Sequence, residues 1–507
     1  CPGRALSFSS VRVTPISHIV TDICGVPNIW GPPKMKPDWF GWQTCLENLA
    51  VPALPYPHRL LAIAVEDYKE DLLPIFRNKL WNSARPLTYK EAICGMKGVK
   101  FIDQLKLNTS VGYPLSGPKR NFVTELDPTE DFPNNRELDP VIMEEIEYVL
   151  SEYRQGRRCY CIANACKKDE ILSKDKMRIF YGNSTVIVVI MRKYFLQLLR
   201  VLQMNPLTSE CAVGINAHSP EWDQFVKHAV KFGEDRLIGG DYGKYDQKLP
   251  SQVIIAAMSI LIDLARECDY TEEDLTIMET MIADVVYAYI NFNGDLIGLT
   301  EGTHISGNSL TVIINGICGS LNLRAAFYTM NPPKSFETRL KFRDNVALMT
   351  YGDDNIGSVK EGCDNFTIKS CSKFLEEYGQ TYTMPDKESE LLDYLPIEEF
   401  EFLKRFSVYH PKLGCEVGAL LDKSIYKSLH AFLRPKGCPL TEEQACAMNI
   451  DTGLREWFNH GEDKYEKQRV LMTTVAERAG ISHMCTRLNM SYNDSVLEWH
   501  EKYADQL

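Results

Sequence analysis

The chain has 507 residues, of which 44% are hydrophobic, 24% charged and 10% aromatic. That balance excludes disordered, collagen-like and coiled-coil classes, and leaves either several domains or one large enzyme whose lobes share a core. A net charge of −12 bears on solubility and steering but does not exclude a basic groove on an acidic body.

Sixteen cysteines lie scattered through the chain, which argues against a disulfide framework and for reduced, mostly buried thiols. Cys159, Cys161 and Cys166 lack a matching second pair, and His483 with Cys485 is equally isolated, so a closed zinc site is not expected. The start, Cys-Pro-Gly-Arg-Ala, has neither an apolar signal region nor an initiator Met and reads as a processed end or a fragment. No repeat and no low-complexity tract is visible.

In chain order, the first hundred or so residues are rich in Pro and aromatics and predict extended segments and loops lying across other parts of the protein. From Glu125 to Glu152 ten acidic residues face one basic residue, and from Arg154 to Arg178 eight Lys or Arg face three acids. Two solvated faces explain that reversal, as does an anion-binding segment in the basic half. Helical spacing predicts helices over Thr185–Leu202 and from Pro250 to about Cys268. The longest apolar run, Val253 to Ile262, is too short to span a membrane. Arg236 to Asp241 reads as a short strand ending on a carboxylate, and Val346 to Val359 as two strands about a Gly-Asp-Asp turn. After about Tyr409 the chain reads as helical.

The chemistry concentrates in two acidic turns, Asp241-Tyr-Gly-Lys-Tyr-Asp246 and Tyr351-Gly352-Asp353-Asp354. An exposed Asx turn accounts for the second on its own. If the strand ending at Asp241 lies beside the hairpin, however, Asp241, Asp353 and Asp354 gather like charges that call for cations. Mg²⁺ takes oxygen ligands and keeps positions open for phosphates, and two ions about 4 Å apart can drive a phosphoryl transfer.

Asp-x(4)-Asp, then Ser306-Gly307-Asn308-Ser309-Leu310-Thr311 with Asn315, then Tyr-Gly-Asp-Asp resemble motifs A, B and C of the RNA-dependent RNA polymerases of picorna-like positive-strand RNA viruses. Asn108-Thr-Ser110-Val-Gly112-Tyr-Pro114 resembles motif G, and Lys167-Lys168-Asp-Glu170 with Lys174, Lys176 and Arg178 resembles motif F. Pro385-Asp-Lys387 resembles motif D and Phe402-Leu-Lys404-Arg405 motif E. Leu310, where many mammalian picornaviruses have a second Gly, and the short Lys168–Arg178 segment are nearer to the members from arthropods, plants and algae than to enteroviruses.

The resemblance implies an α/β (α+β) right-hand fold with fingers, a palm of antiparallel sheet flanked by helices, and a helical thumb, closed by N-terminal fingertips. It places the N-terminal region and fingers at 1–205, palm with motif A at 206–249, fingers at 250–298, palm with motifs B to E at 299–409, and thumb at 410–507. It implies two Mg²⁺ ions, replaceable by Mn²⁺, on Asp241 and Asp353 with Asp354 as a weaker or outer ligand, and Lys387 as general acid. Lys168 and Arg178 would grip the triphosphate. Asp246, Thr311 and Asn315 would read the ribose 2′-hydroxyl, Thr311 and Asn315 sharing a helix face. Ser306 joins the nucleotide site, with Gly307 toward the template. Ser110, Gly112 and Lys167 would contact RNA, as would Lys404 and Arg405 at the primer end.

The implied partners are single-stranded RNA template, primer or product duplex and nucleoside triphosphates, with a protein primer and other viral replication proteins as further candidates. The implied location is the host cytoplasm, at membrane-associated replication complexes, without secretion. Three rivals remain. Gly316-Ile-Cys318-Gly319 spells a viral cysteine-protease nucleophile motif, but in an apolar helical run that would pack the thiol away from any base. A reverse transcriptase shares the carboxylates but calls for a bulky aromatic gate where Asp246 and Asn315 favour ribonucleotides. A catalytically silent RNA-binding scaffold leaves the acidic positions without a use.

Overall fold

A computed structural model describes residues 8–33, 39–51, 53–174, 177–299, 301 and 310–507. The longest helices form where the sequence is apolar on most sides. Thr185–Met204 opens at Ser184, whose hydroxyl accepts from the Ile187 N–H, and Ser251–Ala265 opens after Pro250. Thr311–Met330 is buried along nearly its whole length, as a helix apolar all round must be. These three, with Glu272–Val286, Pro140–Arg154 and the strands Leu237–Gly239, Val346–Tyr351 and Asp354–Val359, share the largest hydrophobic core.

Beside that core runs a three-stranded antiparallel sheet in the order Val346–Tyr351, Asp354–Val359, Leu237–Gly239. A four-stranded sheet, in the order Ile179–Gly182, Ile162–Lys167, Tyr289–Phe292, Asp295–Gly298, carries the basic segment. The arrangement is the mixed right-hand architecture expected.

A second core joins the C-terminal helices Asp422–His430, Glu442–Phe458, Glu462–Arg478 and Tyr492–Tyr503 to Ile16, Ile19, Val20 and Trp30 near the N-terminus. The N-terminal segment therefore does lie across distant parts of the chain. Val11–Val13 pairs with Ala431–Leu433, Gly31 bridges Leu172, and Ser9 and Ser10 donate to the Asp169 carboxylate.

Two expectations are corrected. The Pro-rich start is not mainly loop: it contains the helices Ser17–Cys24, Trp39–Ala50, His58–Glu70 and Tyr89–Cys94. Prolines such as Pro57 stand at helix entrances, where a missing N–H costs nothing. Nor is the chain after Tyr409 wholly helical. Cys415–Leu420 pairs with Arg405–His410, so the boundary expected at 409/410 falls inside a hairpin. A six-residue run such as Cys-Glu-Val-Gly-Ala-Leu is too short to be told from a helix segment by periodicity, and only its partner decides. The fifteen described cysteines are free thiols, and among the described residues no helix is long and apolar enough to cross a membrane.

Candidate active site

The acidic turns meet because of strand register. Gly239 faces Ile356 and Ile238 faces Gly357. Just beyond that pairing Asn355 Nδ2 donates to the Gly240 carbonyl at 3.0 Å, which holds the chain entering Asp241 against the hairpin that carries Asp353 and Asp354. The hairpin turns at Gly352, whose φ of +60° suits glycine, and Asp353 stands at that turn. On its other side Asp241 pairs with Thr383, which brings in the loop carrying Lys387. The Lys387 ammonium lies 3.1 Å from Asp241 Oδ2.

The electrostatics follow from this crowding. Burial raises the Asp353 carboxyl, and the negative charges of Asp246 and Asp241 raise it further against Lys387. Burial pushes Asp354 up to about 6 even though its Oδ2 accepts the Leu403 N–H at 2.9 Å. Among the described residues no three carboxylate, imidazole or thiol side chains form a ready-made ion cage. The donor set nonetheless fits a hard divalent cation: it is all oxygen, and its charges repel one another unless a cation stands between them.

Asp246 and Asn315, expected to read the ribose, assemble next to these acids. Asp246 sits in the short helix Tyr245–Lys248, and its Oδ1 accepts from Asn315 Nδ2 at 2.8 Å. The Tyr245 hydroxyl donates to the Asn315 carbonyl at 2.7 Å, which fixes the opening turn of the helix that begins with Thr311. Sequence reasoning did not single out Tyr245, although it lies inside the acidic motif.

In the basic segment, Lys167 faces Ile179, and the Lys168 N–H donates to the Arg178 carbonyl at 2.9 Å. The two cations therefore stand side by side at one end of the sheet. Glu170 lies between them, 3.6 Å from Lys168 Nζ and 3.4 Å from Arg178 Nη1. The Ser110 turn is pinned to the start of the Thr185–Met204 helix, because Thr185 N donates to the Val111 carbonyl. Gly112, at φ +87°, touches the Ser184 backbone where a Cβ would not fit. Beneath that turn the buried Lys119 donates to Thr109 Oγ1 at 2.7 Å and to the Ser110 carbonyl at 2.8 Å. No sequence signal separated Lys119 from an ordinary surface lysine.

Lys404 and Arg405 part company. Lys404 is exposed, whereas the Arg405 guanidinium is largely buried and forks onto Glu456 at 2.7 and 3.1 Å, so it ties the Glu442–Phe458 helix to the hairpin. Ser306, Gly307 and Lys176 lie outside the described residues. Cys318 is fully buried and its thiol, raised by that burial, donates to the Val253 carbonyl, so the protease reading has no exposed nucleophile.

Residues 54–425 match the family model described as viral RNA-dependent RNA polymerase. The replicase polyprotein of Drosophila C virus is 28% identical over 76% of this chain, and that of cricket paralysis virus 27% identical over 76%; in each case the match covers 22% of the relative. The chain thus spans about a fifth of the length of these relatives. Among solved structures, a Sicinivirus 3Dpol RNA-dependent RNA polymerase superposes with a TM-score of 0.75 at 17% identity, covering 99% of this chain and 98% of that one. With the family model matching well over half of its residues, the chain belongs to the viral RNA-dependent RNA polymerases, and its relatives are the replicases of picorna-like viruses.

Proposed function

We propose that this polymerase joins the α-phosphate of a nucleoside triphosphate to the 3′-hydroxyl of a growing RNA strand, under template direction and with release of pyrophosphate, for genome replication and transcription. The observation that carries this reading is the pairing of Leu237–Gly239 with the strand that follows the Asp353 turn, with Asp241 and Asp246 near enough to Asp353 for their charges to act on it and Asn315 bonded to Asp246. A divalent-metal requirement is general to the family. In this reading Asp241 and Asp353, with Asp354 as an outer ligand, hold two Mg²⁺ ions, replaceable by Mn²⁺. When bound, such ions lower the pKa of the attacking hydroxyl and neutralise charge on the leaving oxygens.

The chain's own residues do the rest. Lys168 and Arg178 bind the triphosphate, Arg as a bidentate fork and Lys as a point charge. The Asn315 amide, oriented by Asp246, and Thr311 read the 2′-hydroxyl. Lys387, an ammonium beside Asp241, is positioned to give a proton to departing pyrophosphate. Ser110, Gly112 and Lys167 guide the template, and Lys404 steadies the primer end. Arg405 contributes by bracing the motif E hairpin on Glu456.

The partners in this reading are template, primer or product duplex and nucleoside triphosphates, with a protein primer and other viral replication proteins. Its setting is the host cytoplasm, at membrane-associated complexes. Primer extension on a defined RNA template, with each nucleotide withheld in turn, tests the reading. Extension should halt opposite the base whose complement is missing, and ribonucleotides should be preferred. A folded protein that does not extend in Mg²⁺ or Mn²⁺, or that prefers deoxyribonucleotides, contradicts it.

A further inference from the structure

Behind the catalytic hairpin, away from the carboxylates, three charged side chains are withdrawn from solvent: Asp67, Glu210 and Arg324, 2%, 1% and 0% exposed. Arg324 belongs to the same helix as Thr311 and Asn315. Its Nε donates to Asp67 Oδ2 at 2.8 Å, and its Nη1 and Nη2 donate to the two Glu210 carboxylate oxygens at 2.7 and 2.9 Å. Glu210 in turn holds the hairpin. Its carbonyl accepts the Thr350 N–H at 2.7 Å and the Thr350 hydroxyl at 3.0 Å, and Thr350 directly precedes Tyr351-Gly-Asp-Asp. On its far side the Thr350 hydroxyl lies against Gly316 of the same helix, where a Cβ would come within 2.8 Å.

Stability alone does not account for this arrangement. Apolar side chains of similar volume commonly stabilise a core as well as buried ion pairs do. Glu210 also sits at φ +62°, a strained position for a residue with a Cβ, which persists only where the surroundings demand it. What the network does that packing would not is join two functional elements at a fixed distance. From Thr311 to Arg324 is thirteen residues, or about 20 Å of helix, so a tilt of about 3° at the Arg324 end moves Thr311 by about 1 Å. Displacements of that size are enough to cost about a hundredfold in rate.

We propose that Glu210 is a positioning residue for nucleotide transfer: by gripping Arg324 with its carboxylate and Thr350 with its carbonyl, it sets the Asp353 hairpin against the helix that reads the ribose. The inference rests on the function proposed above and adds a residue that touches neither substrate nor ion.

The test compares Glu210→Gln, Thr350→Val and Arg339→Gln with the wild type in thermal midpoint, single-nucleotide kcat and KM, and ribo-over-deoxy preference. Glu210→Gln turns an amide donor toward Arg324, and Thr350→Val deletes the hydroxyl at nearly constant shape. Arg339 bonds to Asp67 and Glu70 in the same cluster but does not reach Thr350. Expected are a kcat about tenfold or more lower and a ribose preference about threefold or more lower for the first two variants, with KM little changed because Lys168 and Arg178 lie elsewhere. Arg339→Gln should lower the midpoint alone. The inference is overturned if all three lose activity only as they lose folded protein, with the preference intact. Should Glu210→Gln not fold, Thr350→Val decides, and wild-type kcat and preference in that variant overturn it. A wild type that does not elongate would instead defeat the proposed function.

Discussion

Replacing Lys404 by Gly should move stability and RNA binding in opposite directions. Phe402 and Arg405 exchange backbone hydrogen bonds of 2.9 and 3.0 Å across a two-residue turn in which Leu403 and Lys404 stand at φ +56° and +61°. That is the type I′ geometry that normally takes Asn-Gly. A non-glycine residue in this region costs about 1–2 kcal/mol. Gly relieves that cost but gives back about 0.4–1 kcal/mol in unfolded-chain entropy, and the exposed contact with Glu401, 3.7 Å away, contributes little. The net is a gain of about 0–1.6 kcal/mol. With unfolding entropy near 2.1 cal/mol/K per residue over 507 residues, that gain is worth about 1.5 °C at most. One lost phosphate contact should meanwhile reduce the slope of log affinity against log salt by about 0.7–0.9 and weaken RNA binding roughly fourfold at 0.15 M salt. Calorimetry, with fluorescence anisotropy on primer–template RNA across a salt series, measures both. A midpoint lowered by several degrees would refute the strain, and an unchanged slope would refute the contact.

Asn315→Ala removes the amide held by Asp246 and should lower the ribose-over-deoxyribose preference about two- to tenfold, the worth of one hydrogen bond between neutral groups; competitive single incorporation measures it, and an unchanged ratio contradicts it. Burial would raise the Glu456 carboxyl, but hydrogen bonds from His218 and Arg405 outweigh it and hold the group at about 2, below its ordinary 4.5. The folded pKa is thus depressed, so the stabilisation is fully present above about pH 4.5 and is lost as pH falls from there toward 2. Glu456→Gln should therefore unfold at a lower temperature than the wild type at pH 6, the gap narrowing below pH 4.5; a gap independent of pH contradicts this. Gly357→Ala would place a Cβ 2.2 Å from the Ala347 carbonyl in the paired strand, where only backbone can yield, and should destabilise by about 3 kcal/mol; an unchanged midpoint refutes the close approach.

What was legible in the sequence is what local chemistry specifies. The hairpin about Gly352 was readable because two short strand-like runs flank a Gly-Asp-Asp turn that glycine favours, and the helices over Thr185–Met204 and Ser251–Ala265 because apolar spacing and a cap or proline coincide. The acidic site was readable as two turns, and strand register supplied their meeting. What was not legible depends on partners far away in the chain. Ala431–Leu433 is a strand because Val11–Val13 lies beside it. Arg405 has the letters of an RNA contact, and its Glu456 partner lies 51 residues away. Glu210, Asp67 and Arg324 look like surface charges in a linear reading, and only folding shows that they neutralise one another in the interior.

The most direct measurement is divalent-ion binding to the wild type, Asp241→Asn, Asp353→Asn and the double variant, by calorimetry or Mn²⁺ resonance with primer–template RNA present and elongation followed in parallel. If the two acids share the ions, each single variant should lose affinity about tenfold or more, and the double variant should lose little beyond either one, as expected for groups that act as a unit. Elongation should fall in step while the fold is kept. A folded Asp353→Asn protein with wild-type ion affinity or near-normal elongation in Mg²⁺ would contradict the account.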